Sequence, residues 1–123
     1  MHPYAFKAAE AAACAGDQKK FWEMRKRLFA NQRALASDKL SGYAAEIGLD
    51  GAEFEKCLSS GRHGAGIRQN ARVAQSLGIR GTPAYLLGSR IPGSDKIQIL
   101  EIVNGLPSYE ELEKKLNVLL TAK

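Results

Sequence analysis

The sequence lacks most of the features on which assignments of enzymatic function usually rest. It holds two cysteines and two histidines among 123 residues, and no Cys-x-x-Cys occurs in it. The glycine-rich stretch SGRHGAG neither follows a strand pattern nor ends in Gly-Lys-Ser/Thr, which argues against a phosphate-binding loop. No paired carboxylates and no Ser/His/Asp set indicate hydrolysis. We therefore expect no cofactor and neither hydrolytic nor phosphoryl-transfer chemistry.

Long apolar runs and a leader pattern are also absent. No apolar run approaches the roughly 20 residues of a membrane span. The opening stretch MHPYAFKAAEAAACAG lacks the basic, apolar and cleavage regions of a signal peptide. We expect no membrane contact, and any export signal of the parent protein must lie upstream of this sequence.

Positive charge exceeds negative charge, with a net charge of +5 and a pI near 9.4. Part of the excess lies in a basic cluster interleaved with apolar residues at helical spacing. The cluster has no aromatic stacking platform and no base-reading motif, so we interpret it as a solvated helix face and expect no nucleic-acid partner. Its members are Lys19, Lys20, Arg25, Lys26 and Arg27.

A composition of 45% hydrophobic and 25% charged residues is typical of one globular domain. Capping and glycine signals predict five helices in the first part of the chain. The second helix carries an apolar stripe that predicts a core-facing side, at Phe21, Trp22, Met24, Leu28 and Phe29. The first predicted helix runs from Tyr4 to Ala15 and is ended by Gly16, and the second is capped by Asp17. The third runs from Ser37 to Ile47, the fourth from the Asp50/Glu53 capping signal to Leu58, and the fifth from Gly64 to Leu77.

The pattern then changes to short β-rich runs. PAYLL and KIQILEIV, separated by the turn-forming GSRIPGSD, predict an antiparallel strand pair. Ser108 and Glu111 form a capping box for a last helix, whose inward side is predicted at Leu112, Leu116, Leu119 and Leu120. The predicted order is α-α-α-α-α-β-β-α. Two strands are rarely stable alone, so we expect the complete sheet to have more.

This order, with GIRGTPAYLLG after a helical block, resembles the later two thirds of the DsbA-like branch of the thioredoxin superfamily. Further similar segments are HPYAFKAAEAAACAGDQKKFWEMRKRLFANQ, GLDGAEFEKCL and IVNGLPSYEELEKKL. The resemblance implies an α/β, incomplete thioredoxin-like fold that is mostly helical. Residues 1–123 would form one partial domain, with a helical insertion subdomain at 1–77. Residues 78–123 would supply the cis-proline loop, a β-hairpin and the C-terminal helix.

The resemblance also implies a function, thiol–disulfide exchange on protein or peptide substrates. In this family a Cys-x-x-Cys at the start of the first core helix performs catalysis, and that segment is expected before His2. It is not in this sequence, so we assign no catalytic residue and expect the chain alone to be inactive. The family usually works in the periplasm or after export, whereas this chain expressed alone would stay in the cytoplasm.

The implied substrate-binding residues are Arg80, Gly81, Thr82 and Pro83. In the family, the proline matching Pro83 is cis and lies beside the reactive cysteines. The residue before it, here Thr82, supplies backbone groups to a bound substrate chain. This placement agrees with strand addition, in which main-chain hydrogen bonds hold an extended peptide.

Cys14 and Cys57 lie 43 positions apart, each past the middle of a predicted helix. That end of a helix dipole does not stabilise a thiolate, so neither is expected to be a nucleophile, and a long-range redox pair is the least favoured hypothesis. Two alternatives remain: a structural disulfide, or two buried free thiols. His2 and His63 match no metal-site spacing with them, and we expect no metal.

A rival hypothesis is a non-enzymatic module. The strand edge left by an incomplete sheet could pair with a peptide or with a second copy of the chain, giving a homodimer.

Overall fold

The computed structural model describes residues 2–122. Over that range the element order is the predicted one. The chain forms two compact units, Met1–Arg72 and Val73–Lys123. Their boundary falls inside the fifth helix. The elements are α1 Ala5–Asp17, α2 Phe21–Ala30, α3 Ser37–Glu46, α4 Gly51–Ser60, α5 Gly64–Ser76, β1 Ala84–Arg90, β2 Ile97–Asn104 and α6 Tyr109–Thr121.

The hydrophobic core lies in the first unit, where α1 packs against α2, α3 and α4. The small side chains of α1 allow this close approach, and Ala11 and Ala15 are fully buried. Larger side chains from the other helices fill the remaining volume. The largest side chains with less than 2% exposure are Phe54, Met24, Leu40 and Cys57 from the other helices and Cys14 from α1 itself.

The caps of α4 follow the sequence prediction. The Asp50 carboxylate accepts a hydrogen bond from the Glu53 backbone N–H at 3.0 Å. Gly61 ends the helix in the left-handed conformation, at φ +64°, which glycine adopts without a side-chain clash. Both ends of α4 are therefore fixed by local chemistry.

Two predictions about the first two helices are wrong. Asp17 does not cap α2; it is the last residue of α1, which continues through Gly16, and its carboxylate is bonded to groups after α4. The apolar stripe of α2 is also narrower than predicted, because only Met24 and Leu28 are buried and Trp22 is 70% exposed. A ten-residue helix on one side of a small core can bury only one line of side chains.

In the second unit, β1 and β2 form an antiparallel pair. The register shifts between Leu87 and Gly88, where a β-bulge brings the backbones together: a Cβ added to Gly88 would lie 2.5 Å from the Gln98 carbonyl oxygen. Leu87 is the buried side chain of the pair, at 9% exposure. The glycine is therefore required by close backbone approach.

The capping box of α6 is confirmed. The Ser108 hydroxyl accepts from the Glu111 N–H, and the Glu111 carboxylate accepts from the Ser108 N–H. The prediction that four leucines of α6 face inward holds only in part: Leu112 and Leu119 are half-buried, whereas Leu116 and Leu120 are 42% and 67% exposed, and no described residue of α6 is fully buried. Two strands give the helix too little apolar surface to cover. No helix within residues 2–122 has the length and apolar content that crossing a membrane requires.

Candidate functional site

The loop that leads from α5 into β1 contains the residues predicted to bind substrate. Gly78 ends the helical path with φ +76°, and the Ile79 N–H donates to the Ala74 carbonyl at 3.0 Å. This left-handed glycine turns the chain away from the helix. Residues 80–83 then run without regular structure into the first strand.

The peptide bond between Thr82 and Pro83 is cis. The Gly105 N–H donates to the Pro83 carbonyl at 3.0 Å, which ties the loop to the end of β2. A cleft of about 520 Å³ lies between the loop and that strand end. It is lined by Gly78, Arg80, Gly81, Thr82, Pro83, Asn104 and Gly105.

The Thr82 backbone is the distinctive feature of this cleft. Thr82 is exposed, and within residues 2–122 no protein group is hydrogen-bonded to its N–H or its C=O. It immediately precedes Pro83, whose carbonyl accepts from the Gly105 N–H just past the end of β2. The Thr82 N–H and C=O are therefore both available to a further hydrogen-bonding group.

Arg80 adds a positive charge to the same cleft. Its side chain is exposed and has no ion-pair partner among the described residues. All four predicted site residues therefore line one cleft, which includes the unpartnered Thr82 backbone groups and the exposed cation of Arg80.

No cysteine is among the residues that line the cleft, and both cysteines belong to the first unit. Cys14 and Cys57 form a disulfide with a Cα–Cα distance of 5.8 Å, which decides between the two alternatives left open by the sequence. Each cysteine is 1% exposed. A buried disulfide between two packed helices cross-links the core, as a structural bond does.

A polar cluster lies beside this disulfide and was not predicted. Asp17 Oδ2 lies 2.8 Å from His63 Nε2, 2.5 Å from Arg62 Nη2 and 3.5 Å from Cys57 Sγ. The hydrogen bonds from His63 and then Arg62 hold the pKa of the Asp17 carboxyl below its usual value of 3.8. We call Asp17, Arg62, His63 and the two cysteines the disulfide cluster.

The prediction of no metal site relied on spacing along the chain, which does not report contacts between distant residues. The two sulfur atoms and a ring nitrogen of His63 all lie within 4.8 Å of one another. These residues come from α1, α4 and the turn after α4. Only the packing of α1 on α4 brings them together, and no sequence spacing signals it.

Comparisons with known proteins identify the family of the chain. The family model described as "DSBA-like thioredoxin domain" matches residues 2–117. Similar curated proteins are the Na(+)/H(+) antiporter NhaA 1 of Salinispora arenicola, 41% identical over 81% of this chain, and the Na(+)/H(+) antiporter NhaA 3 of Salinispora tropica, 38% identical over 73%. The Na(+)/H(+) antiporter NhaA of Herminiimonas arsenicoxydans is 35% identical over 76%.

The matched regions cover 16%, 14% and 15% of those three proteins, so the chain spans about one sixth of the curated relatives it matches. No solved structure gives a significant match. The family match, in contrast, covers nearly all of the chain, including the loop at 80–83 and the helices of the first unit. This chain belongs to the family of DSBA-like thioredoxin domains.

Proposed function

We propose that this chain is the substrate-binding part of a thiol–disulfide oxidoreductase that acts on protein disulfides. The reactive Cys-x-x-Cys would be supplied by a segment outside this sequence. The observation that carries the proposal is the exposed residue Thr82, whose backbone N–H and C=O have no partner within residues 2–122. Family membership supplies the reaction class, and the cleft supplies the means of holding a substrate.

In the proposed mechanism, this chain positions the substrate. An extended substrate segment would pair with Thr82 as an added strand, through one hydrogen bond to each backbone group. Main-chain pairing tolerates many side chains, which suits an enzyme that must accept cysteines in different sequence contexts. Arg80 would favour segments with an acidic residue near the paired position.

Peptide titration followed by amide NMR tests this pairing. The probe is an extended peptide with one S-methylated cysteine, which cannot undergo exchange. The proposed pairing uses one peptide N–H, which donates to the Thr82 carbonyl, so single N-methylation at that position should weaken binding about fivefold to tenfold. Neighbouring amides of a strand point to the opposite side, so single N-methylation at the two adjacent positions provides the matched control. Equal effects at all three positions, or shifts that avoid Gly81, Thr82 and Gly105, would contradict the proposal.

A disulfide-exchange assay tests where the reactive centre lies. The chain and its Cys14→Ser/Cys57→Ser variant are compared at equal concentration on a model protein substrate. Both should stay at background, because the only two cysteines of the sequence are buried in one disulfide in the chain and are absent from the variant. Activity that disappears in the double variant would place a redox centre in this chain itself.

Export to an oxidising compartment remains part of the proposal. The supporting observation is the disulfide, because such bonds persist mainly in secreted and periplasmic proteins. Mass measurement of alkylated protein from intact cells would test it. Free thiols in the native compartment would contradict that location.

Self-association is a second candidate function, favoured by the apolar residues exposed on β2. Ile97 is 63% exposed and Leu100 is 47% exposed. A second copy of the chain that pairs along this strand would cover them. Light scattering over a wide concentration range distinguishes the candidates, since a strict monomer would rule self-association out and leave peptide binding unaffected.

A further inference from the structure

We propose that reduction of the Cys14–Cys57 disulfide creates a zinc-binding site in the disulfide cluster. Both thiolates and His63 would be the protein ligands, Asp17 would hold the His63 ring in place, and a water would complete four-coordination. The oxidised chain would not bind the metal, because its sulfurs are bonded to each other. Zinc binding and the disulfide would thus be alternative states of one site.

The ligand atoms are already close enough to share one ion. The sulfur of each cysteine and a ring nitrogen of His63 lie within 4.8 Å of one another. With Zn–S of about 2.3 Å and Zn–N of about 2.0 Å in a tetrahedral site, neighbouring ligand atoms are about 3.5–3.8 Å apart. Reduction would let the two sulfurs separate to that spacing, and a shift of the His63 ring would bring its nitrogen from within 4.8 Å of them to the same spacing.

A carboxylate that could orient the histidine ligand is also present. Asp17 Oδ2 is 2.8 Å from His63 Nε2. A histidine that ligates zinc through one nitrogen commonly donates its other N–H to a carboxylate, which fixes the ring and its tautomer. His63 would keep this bond to Asp17 and use Nδ1 for the metal. Arg62, 2.5 Å from the same carboxylate oxygen, holds Asp17 in turn.

Charge balance favours a divalent ion with affinity for sulfur. Two thiolates and one Zn²⁺ sum to zero, neutral His63 adds nothing, and Asp17 is paired with Arg62. A neutral group is less costly at a buried position than an unpaired ion, and both cysteines are 1% exposed. Thiolate and imidazole ligands in a tetrahedral set select zinc over magnesium or calcium.

The redox step requires a dithiol as reductant. The Sγ–Sγ bond breaks as two electrons and two protons from the dithiol give two cysteine thiols, and the dithiol becomes a disulfide. Zn²⁺ then displaces one proton from each thiol to solvent as the two sulfur–metal bonds form. In place of the covalent bond, the metal would join α1 to α4.

Cobalt titration is the direct test, because tetrahedral Co²⁺–thiolate sites have characteristic visible absorption. The full chain is reduced with a dithiol, exchanged into a phosphine reductant without oxygen, and titrated with Co²⁺ and then Zn²⁺. We expect one Co²⁺ per reduced chain, displaced by Zn²⁺, and none in the oxidised chain. Absence of the absorption in the reduced chain would overturn the proposal.

Variants separate this site from nonspecific thiol binding. His63→Ala leaves both cysteines in place and should weaken binding more than about tenfold, and Asp17→Asn should weaken it by about tenfold. His2→Ala is the matched control, since His2 is exposed and is not part of the group of potential ligands. An unchanged affinity in His63→Ala would overturn the proposal even if cobalt binds.

Thermal unfolding covers the case in which the reduced chain folds poorly. A metal that binds only the folded state raises the melting temperature as its concentration increases. Zn²⁺ should therefore stabilise or refold the reduced chain and leave the oxidised chain unchanged. A reduced chain that stays unfolded in Zn²⁺, or equal effects on both redox forms, would contradict the site.

Discussion

Removing the Cys14–Cys57 disulfide is expected to lower the free energy of unfolding of the first unit by about 4 kcal/mol. The bond spans 43 positions of the chain. Closing a loop of that length in the unfolded state removes entropy worth about 4 kcal/mol at 25 °C on the chain-entropy model. Both sulfurs are buried among the helices of the core, so the folded structure already holds them together.

This effect is large compared with the stability of the unit. A unit of about 70 residues is stabilised by roughly 4–11 kcal/mol in total. Loss of the bond would therefore leave the reduced unit marginally stable. Replacing both cysteines by alanine should cost slightly more than reduction does, because the packing of two buried sulfur atoms is lost as well.

Urea denaturation of three samples measures these differences: the oxidised chain, the reduced chain and Cys14→Ala/Cys57→Ala. Far-UV circular dichroism follows the helices, and the single tryptophan, Trp22, reports from α2 in the first unit. A metal chelator in every sample removes any stabilisation by trace zinc. If the oxidised and reduced chains differ by less than about 1 kcal/mol, the cross-link is not a main source of stability and the entropic argument is refuted.

Three further substitutions test local features. Gly88→Ala places a Cβ 2.5 Å from the Gln98 carbonyl oxygen, so it should destabilise the hairpin by about 1–3 kcal/mol, measured as faster amide exchange in β1; unchanged exchange would contradict the bulge. Asp50→Ala removes the cap of α4 and should cost about 1 kcal/mol in urea unfolding, and no loss would mean that the cap is dispensable. Asp17→Asn removes a carboxylate whose pKa is lowered below 3.8 in the folded chain, chiefly by the hydrogen bond from His63. The stabilisation that this carboxylate provides is therefore present above about pH 4 and is lost as the pH falls through the lowered pKa. The wild-type advantage over Asp17→Asn should therefore disappear in acid, and a gap that widens there would contradict the assigned cause.

Elements with strong local signals could be predicted from the sequence. The Asp50/Glu53 cap, the Ser108/Glu111 capping box and the hairpin all depend on residues within a few positions of one another. Burial was predicted less well. The leucines of α6 and the aromatic residues of α2 have correct helical spacing, but spacing shows only which residues share a face and not whether another element covers that face.

The cleft and the disulfide cluster also differ in how well the sequence predicts them. The cleft residues 80–83 are contiguous, so the family resemblance placed them together at once. The disulfide cluster depends on α1 meeting α4, which joins residues as distant as 14 and 63. Asp17 could be interpreted as a helix cap from its neighbours in the sequence alone. Its contacts with Arg62 and His63 were therefore not predicted.

The central claim is that the Thr82 backbone pairs with an extended substrate, and hydrogen exchange at that amide tests it most directly. In the free chain, the Thr82 N–H should exchange rapidly, whereas the Gly105 N–H, bonded to the Pro83 carbonyl, should exchange slowly. A saturating S-methylated peptide should slow exchange at Thr82 by about tenfold, the effect of one added hydrogen bond. If the peptide binds and Thr82 exchange does not change, the chain does not hold its substrate by strand pairing at this loop.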